Sequence, residues 1–423
     1  MLSFEDVLHV SLAGLGRAVE DWAAQVRRLE EMRGRALDMA GQARSVAWPG
    51  GSAAVTVPYV EEQSGQFEAA LEQARTLCGI CRDGYTRLKR CQDELRTVVD
   101  VSAPASGVRV GRRGEVSADP GGPGRPAAVA DIAARIGDIL RRAAWEDRTI
   151  ARALRDAMGP DPAAFNPVRY DSLDAALRAY RDARAVVGLA RRDGRPPDER
   201  LARMAALLAR HEGDPVFAER VATGLGAWGV VEFWTAVGRA PGGRGRRRGR
   251  PWRLRASLQT RLGELLGTAT RCGSAAMETW EREMVGMGAA GRPRGFQVMS
   301  ALMRPGRYGA GFLLDYGDAV LDHEQGRPGD SPSRVWDAGP ALVFDFLADG
   351  DPGHDPVPGF LAALARDPAA AAEFFAPPAL NDRVAYLMTG RGRARDNSTR
   401  ACLDSALRAA ATGARPHGDT SAG

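Results

Sequence analysis

The sequence predicts an all-α protein: an N-terminal antiparallel helical hairpin followed by a larger multi-helix domain. Alanine, leucine and arginine dominate the 423 residues, while β-branched and aromatic residues are sparse, which favours helix over strand. Two long stretches carry apolar stripes spaced alternately by four and three residues. Clusters of Gly and Pro punctuate the chain between and after those stretches.

The first stripe is Leu8, Leu12, Leu15, Val19, Trp22, Val26 and Leu29, the seam of a helix packed lengthwise on another helix. Met32, Leu37 and Met39 keep the segment helical, and "SVAWPGGSAA" stops it. The second stripe is Phe67, Leu71, Ala74, Cys78, Cys81, Tyr85, Leu88, Gln92, Leu95 and Val99, with one polar member. Each segment has about 40 residues, so each helix reaches about 60 Å at 1.5 Å per residue. Neither stripe is stable in water alone. Together they predict a hairpin over 1–100 that reverses at 48–51, with Trp48, Gly50 and Gly51 in the turn. The register also accounts for "CGIC": Cys78 and Cys81 fall on the seam, where a small apolar residue fits. No second CxxC or nearby histidine completes a zinc set.

Two helices of this length joined by Trp-x-Gly resemble the WXG100 (ESX-type) family, the helical hairpins exported by type VII secretion systems. Trp48 and Gly50 stand at the motif positions. The resemblance implies a glycine that permits the turn and an indole that covers the hairpin end. It also implies self-association or pairing with another helical hairpin protein, and contact with the type VII secretion machinery. The chain would then be cytoplasmic or secreted without a signal peptide. Three features depart from the family. Pro58 lies where the second helix should already run, so a late start or a kink is expected there. Gly79 and Gly84 each weaken that helix by up to ~1 kcal/mol relative to alanine. The export motif Tyr-x-x-x-Asp/Glu is missing after the second helix, since Tyr85 is followed at the fourth position by Lys89; a match occurs later, at Tyr170 and Asp174.

Residues 101–126 are rich in Gly, Pro and Arg without periodicity and read as a linker. Accessory helices are expected over 127–195, a helical domain over 200–412 and a disordered tail over 413–423. Asp-Pro recurs at helix starts: Asp161-Pro162, Asp214-Pro215, Asp355-Pro356 and Asp367-Pro368. The aspartate caps free N–H groups, and proline at the first helical position loses nothing. The blocks after residue 200, such as "DPVPGFLAALARDPAAAAEFF", resemble a large helical region of actinobacterial proteins. There it follows a WXG-like hairpin and often precedes a toxin or enzyme module. That likeness implies polymorphic-toxin-like architecture and supplies no catalytic residues.

Little in the chain points to chemistry. Lys89 is the only lysine, which excludes a P-loop. "GLGAWG" (Gly224, Gly226, Gly229) and "GMGAAG" (Gly286, Gly288, Gly291) match GxGxxG but follow helix-like segments, so they read as loops or helix caps. The five histidines form no HExxH, and His211, His323 and His354 read as helix-end residues. No catalytic, cofactor or metal residues are assigned, and the leading reading is a non-enzymatic secretion, assembly or scaffold element. The strongest electrostatic feature lies within 239–255, where Arg244, Arg246, Arg247, Arg248, Arg250, Trp252 and Arg253 cluster. It reads either as a solvated insertion or as a grip on nucleic acid or an anionic surface. The net charge of +5 is compatible with both. No run approaches the ~20 apolar residues of a membrane span.

Overall fold

The computed structural model describes residues 2–45, 51–120, 125–159, 165, 168–239, 249–289, 294–327, 332–339, 341–348, 350–376, 379–391 and 397–413. The fold is all-α, with one two-stranded sheet among the described residues. It divides into two compact units, Met1–Arg178 and Ala179–Gly423.

In the first unit, α1 (Phe4–His9) opens with a capping box: Ser3 and Asp6 satisfy each other's backbone N–H groups. The chain then leaves the helix at Val10 and restarts as α2 (Ala13–Ser45). The first stripe is therefore split, with Leu8 on α1 and Leu12 in the turn before α2. Helix α3 (Gly51–Thr97) starts at Gly51 and continues through Pro58, without the expected late start. It runs antiparallel to α2: Arg33 pairs with Glu68, and Glu30 lies 2.7 Å from Arg75. Near the other end Gly16 faces the Tyr85 ring. The reversal itself, with Trp48 and Gly50, lies outside the described residues.

Helix α3 has a second partner. A π-helical turn (Val98–Ser102) and α4 (Ala103–Ala105) lead into β1 (Val108–Val110) and β2 (Val116–Ala118), an antiparallel pair in which Arg109 faces Ser117. The expected linker is thus folded over most of its length. Its Val108 joins Phe4, Val7, Leu95, Ile132 and Ile136 in a small core. Helix α5 (Pro126–Met158) then packs along α3 as a third helix, so it is no mere accessory. Gly79 and Gly84 matter here. A Cβ on Gly79 would lie 2.9 Å from the Asp171 carbonyl, and one on Gly84 would lie 3.0 Å from Ile150. The helix gives up propensity at these points so that neighbours can approach. Gln92, the polar member of the stripe, is buried because its Nε2 donates to the carbonyls of Val7 and Val10 at the end of α1 (3.1 and 2.9 Å).

The division between units falls inside α6 (Leu173–Ala190), far from the boundaries expected at 101–126 and 195–200. The second unit continues with α7 (Asp198–Arg210), α8 (Pro215–Gly238), α9 (Arg250–Thr270), α10 (Ala275–Ala289), α11 (Arg294–Met303) and α12 (Ala310–Gln325). It closes with α13 (Pro332–Val335), α14 (Val357–Leu364), α15 (Pro368–Phe374), α16 (Ala379–Ala385) and α17 (Asn397–Gly413). Asp214 and Asp367 cap α8 and α15 through the N–H groups of Phe217 and Ala370, as the Asp-Pro pairs predict. Each such cap is worth about 1 kcal/mol. Asp355 accepts from Val357 but serves mainly an arginine described below. Asp161-Pro162 lies outside the described residues.

One continuous core fills this unit, with Trp234, Trp336, Tyr308, Tyr316 and Phe360 almost fully buried. The Trp234 indole donates to the Phe344 carbonyl at 2.8 Å. Gln259 donates to Ala301 and Asp345 and accepts from the Phe346 N–H, which pins the irregular stretch after Leu342 to α9. Backbones approach closely at Gly263 and Gly267, one helical turn apart on α9. A Cβ there would come within 2.1 and 2.2 Å of the carbonyls of Leu302 and Arg307.

Candidate functional site

The hairpin interface is asymmetric. On α3, Leu71, Cys78, Cys81 and Leu95 are buried, while Phe67, Tyr85 and Leu88 are half-buried. On the other strand of the hairpin, Leu8, Leu12, Leu15, Val19, Trp22, Val26 and Leu29 are all only half-buried. The reason is geometric: α3 lies against both α2 and α5, whereas α2 lies against α3. Leu37 is exposed nearer the side of α2 that faces α3, and the outer side of that helix leaves Met32 and Met39 exposed. It also carries Arg28, Glu31, Arg35 and Asp38, all exposed and without an ion pair to any described residue. Cys78, Cys81 and Cys91 are free and buried, and burial pushes the Cys81 thiol up.

The later Tyr170–Asp174 match is built into the packing of the first unit. Thr76 donates to the Val168 carbonyl (2.7 Å) and accepts from the Tyr170 N–H (3.0 Å). Asp83 caps Leu173 at the start of α6 (2.9 Å), and Asp174 pairs with Arg87 (2.8 Å). Tyr170 is buried.

Of the arginine-rich run, Arg244, Arg246, Arg247 and Arg248 lie outside the described residues. Arg250, Trp252 and Arg253 form the first turn of α9. Trp252 is half-buried; its indole donates to the Phe346 carbonyl at 3.1 Å and its ring meets Phe346 edge-on. It is an anchor of α9 in the core, which uses the ring that the nucleic-acid reading assigns to base stacking.

A charged cluster sits within the second unit. The Glu324 carboxylate accepts from the Trp336 indole (2.6 Å), the Tyr386 hydroxyl (2.7 Å) and two nitrogens of Arg391 (2.7 and 2.8 Å). Arg391 reaches Asp355 as well, at 2.9 Å. Burial opposes the charge on Glu324, yet Arg391 and the other donors outweigh it and hold the carboxyl below its usual range. Both oxygens are fully engaged, so the cluster acts as a clasp between α12 and the chain after α16. His323 lies beside it against Phe296 and Trp336; burial, with Arg327, lowers its pKa. His211 bonds Asp182 rather than the adjacent Glu212, and His354 bonds the Leu342 carbonyl.

This unit also holds an open cleft of about 1100 Å³. Arg191, Arg192, Arg200, Arg239 and Arg294 line it, together with Asp193, Glu232 and Asp337. One wall is α8, and its "GLGAWG" interrupts the helix as the loop-or-cap reading predicts: Gly226 adopts φ 72° and ψ 161° between two helical segments. Arg191 donates to the Gly224 carbonyl freed by the break (2.6 Å). The second match, "GMGAAG", places Gly286 and Gly288 in α10, with Gly291 outside the described residues. The stretch "RRDGRPPDER" supplies Arg191, Arg192 and Arg200 to the cleft. Its density of arginines around Gly194 was the available signal for the cleft.

Among the described residues no helix is long and apolar enough to cross a membrane, and no His/Cys/Asp/Glu cluster suits a metal ion. Comparison with protein-family models, curated proteins and solved structures finds no match.

Proposed function

We propose that this chain is a non-enzymatic assembly protein whose N-terminal hairpin pairs with a second copy of itself through the outer side of α2. The observation that supports it is the charge pattern of that side. In an antiparallel pairing of α2 with its copy, centred on Arg33, Arg28 meets Asp38 and Glu31 meets Arg35. Each contact then occurs twice, as a two-fold interface requires. All four residues are exposed and unpaired with described residues, and Met32 and Met39 flank them with apolar surface. Burying that surface stabilises the pair by about 0.8 kcal/mol per methylene.

The resemblance to WXG100 proteins extends the proposal: the paired hairpin is the unit presented to a type VII secretion machinery, with the second unit as scaffold. Sedimentation of the full chain tests the pairing. The wild type should sediment as a dimer, and Met32→Glu with Met39→Glu should give monomers of unchanged helicity. Charge reversal at Arg35 (Arg35→Glu) should also weaken the dimer, and adding Glu31→Arg should restore it. A wild type that stays monomeric at high concentration sinks the pairing. For the secretion step, export from an actinobacterial host with and without its type VII ATPase is the readout; equal export in both sinks it.

A further inference from the structure

We infer that the arginine-lined cleft of the second unit binds a phosphate-bearing ligand of the nucleotide class, an activity separate from the pairing of hairpins. Four features of the cleft support this, beginning with its charge. Arg192, Arg200, Arg239 and Arg294 face one cavity, and none makes an ion pair with a described residue. They share the cleft with Asp193, Glu232 and Asp337 yet pair with none of them, which leaves a cationic wall that an anion can neutralise.

Next comes Arg200. Its Nε is shielded from solvent and has no acceptor among the described residues. Burial, reinforced by Arg192, pulls its pKa down. A buried donor left unmade costs about 1–3 kcal/mol, so the protein itself compensates this guanidinium poorly.

The third feature is the break in α8. Leu225, Trp228 and Gly229, on either side of Gly226, line the cleft. A helix that restarts at Ala227 carries the positive end of its dipole there. Arg191 is engaged on the opposite side of the break with the Gly224 carbonyl, so it shapes the wall.

The remaining feature separates a nucleotide from a bare anion or an acidic peptide. The cleft is far larger than an inorganic phosphate and has the size of sites that enclose small organic ligands. Trp228 stands 45% exposed on its wall, where an aromatic face can stack on a base. Asp193, Glu232 and Asp337 interleave with the arginines. Carboxylates suit a ligand that also carries N–H and O–H donors, as a base and ribose do, and repel a polyacidic peptide.

Calorimetry on the full chain tests this with ATP, a short oligo-dT strand, inorganic phosphate and a polyglutamate peptide as separate probes. The expected result is binding of ATP or the strand, weakened about tenfold by Arg192→Gln and more by Arg192→Gln with Arg200→Gln. Arg192 is exposed, so its variant leaves folding intact. Trp228→Ala should weaken ATP or strand binding and leave phosphate binding unchanged. A strand much tighter than ATP assigns the source as single-stranded nucleic acid, and the reverse assigns a free nucleotide. Four outcomes overturn the inference: no binding of ATP or strand, equal binding of polyglutamate, binding unaffected at Arg192 and Arg200, or binding lost only when Arg244–Arg248 are changed to serine. None depends on whether the chain is monomer or dimer.

Discussion

Helices α2 and α8 solve the problem of burial in opposite ways. Among the described residues of the 33-residue α2, only Ala40 is buried, at 2% exposure. The 24-residue α8 is buried along most of its length, from Val216 to Gly238. Composition and neighbours act together: α8 is apolar around most of its circumference with three charged residues, whereas α2 is dense in Arg, Glu and Asp. Helix α8 packs on α9, α10 and α11, while the main partner of α2 among the described residues is α3. A helix with one partner keeps half of its seam in contact with water and most of its charge on show. That makes it available for association, whereas a surrounded helix carries stability.

The sharpest test of this contrast is a pair of tryptophans. Trp234→Ala should cost about 3–5 kcal/mol in urea denaturation, because it removes a fully buried ring and leaves the Phe344 carbonyl unpaired. Trp22→Ala, on the half-buried seam of α2, should cost less than half of that. Equal losses would break the comparison.

Next in size is the clasp at Glu324. Arg391→Met should cost about 3 kcal/mol near neutral pH, since a buried carboxylate loses its cation. The pH profile carries the sign. Glu324 is held below its ordinary value, so its stabilising contribution is full above about pH 4.3 and is lost as pH falls through the lower folded value. In Arg391→Met, only the Trp336 and Tyr386 donors still oppose burial, the largest influence, and the folded pKa rises. Acidification from neutral should then stabilise the variant, the reverse of the wild-type trend at this group.

Two glycines contrast the units more finely. Gly263→Ala should destabilise by about 1–3 kcal/mol, because its Cβ meets the Leu302 carbonyl. Gly34→Ala should stabilise by about 0.5–1 kcal/mol, because a Cβ on that face of α2 meets nothing within 4 Å. Thermal melts of both variants give the two signs directly.

The smallest expected effect is at Glu281 on α10, where burial, with Glu278 and Asp315, raises the carboxyl to about 7. A raised carboxyl favours the protonated native state, so stability should increase as pH falls through 7. Glu281→Gln should remove that dependence and gain at most about 1 kcal/mol at pH 8.

The hairpin helices and the caps at Asp214 and Asp367 were legible because they are local. Spacing of four and three, and an acceptor beside a free N–H, are readable in a few residues. The folding of 101–118 was not. Val108 and Val116 look like loop residues until Phe4, Leu95 and Ile132 supply the apolar surface that covers Val108. Gly79 and Gly84 were read as defects because propensity counts only the helix itself. Their purpose appears when Asp171 and Ile150 come against them. The cleft escaped notice for the same reason: Arg192, Arg239 and Arg294 come from three separate segments, and only packing gathers them.

What the sequence determined by itself was the all-α class, the two long apolar stripes and the positions where helices start, because each follows from backbone geometry within a turn or two of the chain. Tertiary structure decided that α3 is sandwiched and α2 is not, that Trp252 packs against the core, and that arginines from separate segments share one cavity. Those outcomes depend on which surfaces meet across tens or hundreds of residues. No local pattern encodes that choice, since burial is a property of the neighbours as much as of the residue.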